Sequence, residues 1–203
     1  MKLFNRFAFA AMLCMVSIFA NAAAGPWVIH DGFKLRGYDG TGLNIAAAGN
    51  ALKIALATSA SNAATTSVNN YASLTNELST ANGYTSGGAT ISQTWTGTST
   101  VTHALSANVV WTATGTITAR FAILYDNTDT NKTIIAHCLL DSTPADVSVT
   151  SGNTLTISSG TTFTLAKVLV APVAGGYAAA NDPVYDLFAL ANGWPMKLPL
   201  LAA

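Results

Sequence analysis

Charged side chains are scarce in this 203-residue chain, at 9% of the sequence, and nine Lys and Arg balance nine Asp and Glu. A typical domain carries roughly a quarter. With no basic or acidic run, the chain lacks the electrostatic footprint of a partner for nucleic acid or for an anionic membrane surface. Glutamate is nearly missing, Glu77 being the only one, so no Glu pair exists for two-carboxylate hydrolysis. Cysteine occurs at Cys14 and Cys138 alone. The apolar run from Phe7 to Phe19 falls short of the roughly 20 residues of a membrane helix, so no stable span is expected. Neither a G-x-S-x-G element nor a phosphate loop occurs, since no Lys-Ser/Thr follows Gly83, Gly87 and Gly88.

The N-terminus has its own signature. Lys2 and Arg6 precede the apolar run, and Ala20-Asn21-Ala22 follows it as an A-x-A cleavage signal. Residues 1–22 therefore read as a secretory signal peptide, with a retained hydrophobic arm or a start at Met12 or Met15 as alternatives. Cleavage after Ala22 would leave Cys138 as the only cysteine and exclude an intramolecular disulfide.

Half of the chain is hydrophobic, and Thr, Ser, Asn and Gly supply most of the polar surface. Short β-branched and aromatic segments alternate with Gly, Asn, Asp and Ser clusters, which predicts many short strands. They fall near 51–58, 89–96, 99–105, 108–112, 116–125, 133–140, 146–149, 153–157 and 162–170. In 116–125, Ile117, Ala119, Phe121, Ile123 and Tyr125 share one face by period-two spacing, and apolar residues on the other face predict a central strand. The turn YDNTDTNK then makes 116–140 a hairpin. Residues 59–82 read as a long loop in which Tyr71, Leu74 and Leu78 allow one short helix. The expected fold is all-β, an antiparallel β-sandwich of Ig-like or jelly-roll-like type over 23–170. The prolines and the Gly175-Gly176 pair of 171–203 suit an extended C-terminal arm.

Candidate chemistry is thin. His30, His103 and His137 lack the spacing of metal ligands and are expected on the surface or on strand faces. His137 and Cys138 are adjacent in a strand and point to opposite faces, with Cys138 sharing the face of Ile134, Ala136 and Leu140 as a small core residue. Asp126, Asn127, Asp129 and Asn131 gather oxygen atoms in one turn; Ca²⁺ or ordinary turn chemistry accounts for them. Glu77 is expected to pair with Arg120, while Gly83, Gly87 and Gly88 suit a turn needing positive φ. Trp27, Trp95, Trp111 and Trp194 either line a carbohydrate-binding face or, for Trp95 and Trp111, pack in the core. No catalytic, cofactor-binding or metal residue is assigned.

The segments AGPW (24–27), NALKIALATSASNAAT (50–65), YASLTNE (71–77), NGYTSGG (82–88), VVWTATGTITARFAILYD (109–126) and SGNTLTISSGTTFTLA (151–166) resemble, in order and spacing, a family of small tailed-phage and prophage structural proteins. The resemblance covers roughly 24–166 and implies a β-sandwich virion component. It implies partners among other virion proteins, in a homo-oligomer or multicopy assembly, with no enzymatic activity. The leader and the residues after FTLA depart from the family pattern. The leader supports a second reading, an exported cell-envelope or extracellular module that binds a glycan or protein; a hydrolase ranks third.

Overall fold

The computed structural model describes residues 24–36, 45, 51–98 and 100–166. The leader expected at 1–22, the arm at 171–203, Trp194 and the end of the last strand at 167–170 lie outside them. In chain order the elements are β1 (Val28–Ile29), α1 (Asp31–Arg36), β2 (Leu52–Ala57), a 3-10 turn (Tyr71–Ser73), β3 (Ala89–Thr90), β4 (Gln93–Thr96), β5 (Thr100–Leu105), β6 (Val109–Thr112), β7 (Ile117–Ala119), β8 (Phe121–Asp126), β9 (Ile134–Leu139), β10 (Val147–Val149), β11 (Thr154–Ile157) and β12 (Gly160–Ala166). The fold is all-β, with several antiparallel sheets. A five-stranded sheet runs β1-β9-β8-β2-β3, a three-stranded sheet β12-β5-β4, and two ribbons pair β10 with β7 and β11 with β6.

Strand β8 is buried at every position, which makes it the centre of the large sheet as its two-sided apolar pattern predicts. Leu52, Ile54, Leu56, Ala122 and Leu124 face one cluster, which they share with Leu105, Val109, Trp111, Ile117, Leu155 and Phe163 of the smaller sheets. Each such Leu, Ile or Phe contributes about 1.5–3 kcal/mol when fully buried, so this shared cluster dominates the packing. The other face of the large sheet carries Ala55, Ala57, Phe121, Ile123, Tyr125 and Ile134, covered by Ala63 and Val68 with Tyr71 and Leu74 packed on them. The segment 59–82 thus roofs the large sheet. It has only the 3-10 turn, capped by Asn70, whose side chain accepts from the Ser73 N–H, in place of a longer helix through Leu78.

Two face assignments from the sequence are corrected. The expected strand 116–125 breaks at Arg120, whose N–H bonds Ala57 O and whose carbonyl accepts from Leu140 N, both at 2.9 Å. The chain changes sheets there, so Ile117 and Ala119 join the shared cluster whereas Phe121, Ile123 and Tyr125 face the roof. Ile134 likewise does not share the face of Cys138. The β8–β9 register shifts between Leu124 and Tyr125, making Ile135 the extra residue of a bulge, and a bulge reverses the alternation. Ala136, Cys138 and Leu140 do lie together in the shared cluster. Finally, 89–96 is two strands, β3 in the large sheet and β4 in the small one. The six-residue helix α1 was not expected from the sequence.

Candidate functional site

Among the described residues, a dense polar cluster is built on Glu77, which a bridge to Ala57 holds at the end of β2. Its Oε1 accepts from the Tyr84 hydroxyl at 2.7 Å and from Gly87 N at 2.6 Å. Its Oε2 accepts from Ser86 Oγ at 2.9 Å and from the Tyr71 hydroxyl. Four donors occupy the four acceptor positions of the carboxylate, which is therefore fully engaged in holding the NGYTSGG turn. Tyr125 adds a bond to Gly87 O at 2.8 Å and stacks on Tyr71 with ring centroids 4.4 Å apart. Burial, then the Glu77 charge, pushes the Tyr125 phenol up to about 12. Burial also raises the phenols of Tyr71 and Tyr84, and their bonds to Glu77 add to it, so all three tyrosines remain proton donors. The turn glycines Gly83, Gly87 and Gly88 have φ of 91°, 92° and 69°, as expected. The expected Glu77–Arg120 pair does not form; Arg120 Nε donates to Asp146 at 2.8 Å.

His103 and His137 stand on strands β5 and β9, in line with a strand-face position, and all three histidines are buried, none of them on the surface. His30 Nδ1 lies 2.8 Å from the Val68 carbonyl, and His30 Nε2 lies 2.9 Å from His137 Nδ1. A carbonyl only accepts, so His30 carries its proton on Nδ1; in the neutral pair Nε2 then accepts and His137 Nδ1 donates. The pair ties the chain after β1 to β9. Burial lowers both imidazole pKa values, to about 4 for His137, where the neighbouring His30 adds to the effect. His137 and Cys138 do face opposite sides, His137 lying against Phe121 and Cys138 in the shared cluster. Burial pushes the Cys138 thiol up to about 12.

His103 in β5 joins β12 to β4. Gln93 Nε2 donates to Ile45 O at 3.1 Å, which turns Oε1 toward Trp95 Nε1 and His103 Nε2, at 3.2 and 2.9 Å. His103 therefore donates from Nε2 and accepts the Thr162 hydroxyl on Nδ1 at 2.5 Å. Thr162 is the bulged residue of β12, where the register shifts between Thr161 and Phe163. Hydroxyl, imidazole and orienting amide thus stand in the order of a nucleophile, base and orienter. Their setting works against that use. Burial drives the His103 pKa down to about 4, the orienting group is neutral, and the imidazole stacks on Phe163 with no surface in water. A shallow hollow of about 230 Å³ lies elsewhere, between Leu78–Asn82 and Thr116–Thr118.

The turn after β8 shows what its acidic residues do. Asp126 Oδ1 accepts from Thr128 N and Asp129 N at 2.8 and 3.2 Å, an Asx turn. Asp129 accepts from Arg36 at 2.6 Å and from the Thr133 hydroxyl at 2.6 Å. Burial opposes its ionisation, yet the Thr133 and Arg36 hydrogen bonds hold its pKa below the ordinary carboxylate value. Turn and ion-pair chemistry thus engages Asp126 Oδ1 and Asp129 Oδ2. Among the described residues, no three His, Cys, Asp or Glu side chains gather as metal ligands. Trp111 is buried in the shared cluster, and Trp95 and Trp27 pack against it.

No family model, curated protein or solved structure matches the chain. Sequence reasoning missed the Glu77 cluster, although two tyrosines within seven residues of a lone glutamate were a usable signal. It also missed the histidine pair, whose partners stand 107 residues apart and leave no local trace.

Proposed function

We propose that the chain is a non-enzymatic structural component of a phage virion that binds other capsid or tail proteins through its sheet faces and terminal segments. The observation that carries this reading is the use of its polar side chains. The hydrogen bonds of Glu77, Asp126, Asp129, His30, His103 and Thr162 hold sheets, turns and strands together. The sandwich that the resemblance implies is supported by the cluster that the large sheet shares with the smaller sheets. Two segments of that resemblance are also structural centres: NGYTSGG is the turn clasped by Glu77, and VVWTATGTITARFAILYD supplies β6, β7 and β8. Electron microscopy of purified particles tests it. Density for this β-domain at a fixed copy number supports the reading; particles that lack the chain sink it.

The signal-like leader favours the second reading, an exported binding module. N-terminal sequencing of the native protein separates the two, since a first residue of Ala23 supports export whereas Met1, Met12 or Met15 supports a subunit made for cytoplasmic assembly.

A further inference from the structure

Charge is distributed very unevenly over this fold. No Asp, Glu, Lys or Arg occurs from Leu78 to Ala119 or from Val147 to Ala166. Those two stretches contain all seven strands of the smaller sheets, β4 to β7 and β10 to β12. The charged residues of the other layer and its loops include Asp31, Lys34, Arg36, Lys53, Asp126, Asp129 and Lys132. The three-stranded sheet turns its apolar side chains inward and a threonine array outward. Thr96, Thr102 and Thr164 are aligned across β4, β5 and β12, and Thr94, Ala104 and Thr161 form the next row. Thr94, Thr96, Thr161 and Thr164 are exposed.

Sheet edges in monomeric proteins are ordinarily blunted with Lys, other charges or Pro. Among the described residues, β4 and β12 are the two edges of their sheet and carry none of these, the bulge at Thr162 being the one interruption of the β12 edge. A surface without charge is also one that suits a copy of itself. A patch of one sign repels its copy, whereas a neutral hydroxyl-and-methyl face meets its copy without burying an unpaired ion. The formal net charge of zero adds no overall repulsion.

We infer that the outward face of the β12-β5-β4 sheet is a self-association surface, on which a second copy of this chain packs its own threonine array. The inference rests on the reading of the chain as a structural subunit, and names the face through which copies meet.

Sedimentation velocity of the full chain over a wide concentration range tests it, with Thr96→Lys/Thr164→Lys as the variant and Ala64→Lys/Ala72→Lys on the roof as the control. The wild type and the control should associate alike, and the threonine variant should dissociate at least about tenfold more readily, because it sets like charges face to face. Hydrogen exchange of the wild type needs no substitution and should show concentration-dependent protection within 94–104 and 160–166. A wild type that stays monomeric, equal association of the threonine variant, or protection confined to other segments would overturn the inference. A monomeric chain found in purified particles defeats the self-contact but leaves the virion reading standing. An associating chain absent from particles does the reverse.

Discussion

The Tyr84 hydroxyl donates to Glu77 at 2.7 Å while accepting the Leu56 N–H at 3.0 Å, so one buried oxygen couples the NGYTSGG turn to strand β2. Neither bond is replaceable by solvent, because Tyr84 is only 2% exposed. The cluster around Glu77 is thus the keystone between the roof segment and the large sheet.

Replacing Glu77 by Gln leaves one acceptor oxygen where two each took a pair of donors, and places an NH₂ against two other donors. The expected loss is about 2 kcal/mol, and about 3 kcal/mol for Glu77→Ala. Tyr84→Phe should lose about 2 kcal/mol by stranding the Leu56 N–H. Urea denaturation measures all three, and an unchanged midpoint for Glu77→Gln would refute the keystone role.

The three histidines make stability depend on pH in the acid direction. Their folded pKa values lie below the ordinary 6.5, near 4 for His103 and His137, so the unfolded chain binds more protons in between. Stability is full above about pH 6.5 and declines as pH falls toward 4. For His103 alone the loss reaches about 3 kcal/mol. Asp129 acts in a lower window, since its depressed pKa keeps its contribution intact until the pH drops below about 4. Thermal melts from pH 8 to pH 4 should therefore show a falling midpoint already above pH 4, and His103→Gln should flatten the curve in that range even if it lowers the starting midpoint.

Much of the sheet structure was legible because period-two burial is written locally. Leu52, Ile54 and Leu56 announce β2, and the turn of Asp126 to Lys132 announces the β8–β9 hairpin. What stayed hidden depends on distant partners. A strand that changes sheets at Arg120 keeps the same alternation as one that does not, and the difference lies in bonds to Ala57 and Leu140. The bulge at Ile135 is invisible among consecutive apolar residues. Helix α1 is only six residues long, too short for a periodic signal, and is anchored by Asp31 to Thr66 and Arg36 to Asp129. For the polar clusters, sequence showed which groups were rare and not which would meet.

Cys138 is 2% exposed, and burial pushes its thiol up to about 12. In a Cys14→Ser background, alkylation near neutral pH should proceed only as fast as the β-domain opens, and should become rapid in denaturant. Labelling of the native protein at the rate of a free thiol would show that β9 is not held as described.

Gly88 and Gly152 offer a paired test of how the Glu77-clasped turn is built. Both have positive φ, at 69° and 83°, which disfavours any side chain. Their surroundings differ. A Cβ on Gly88 would lie 1.9 Å from the Ile54 carbonyl oxygen and 2.7 Å from Ala55 Cα, inside the backbone of β2, whereas one on Gly152 meets nothing within 4 Å. Gly152→Ala should therefore cost only the conformational penalty, about 1 kcal/mol. Gly88→Ala must push the turn off β2, breaking the Glu77 contacts with Ser86 and Gly87, and should cost more than about 3 kcal/mol or prevent folding. Comparing denaturation midpoints of the two variants separates backbone strain from close approach. Similar losses for both would mean that the turn does not rest against β2.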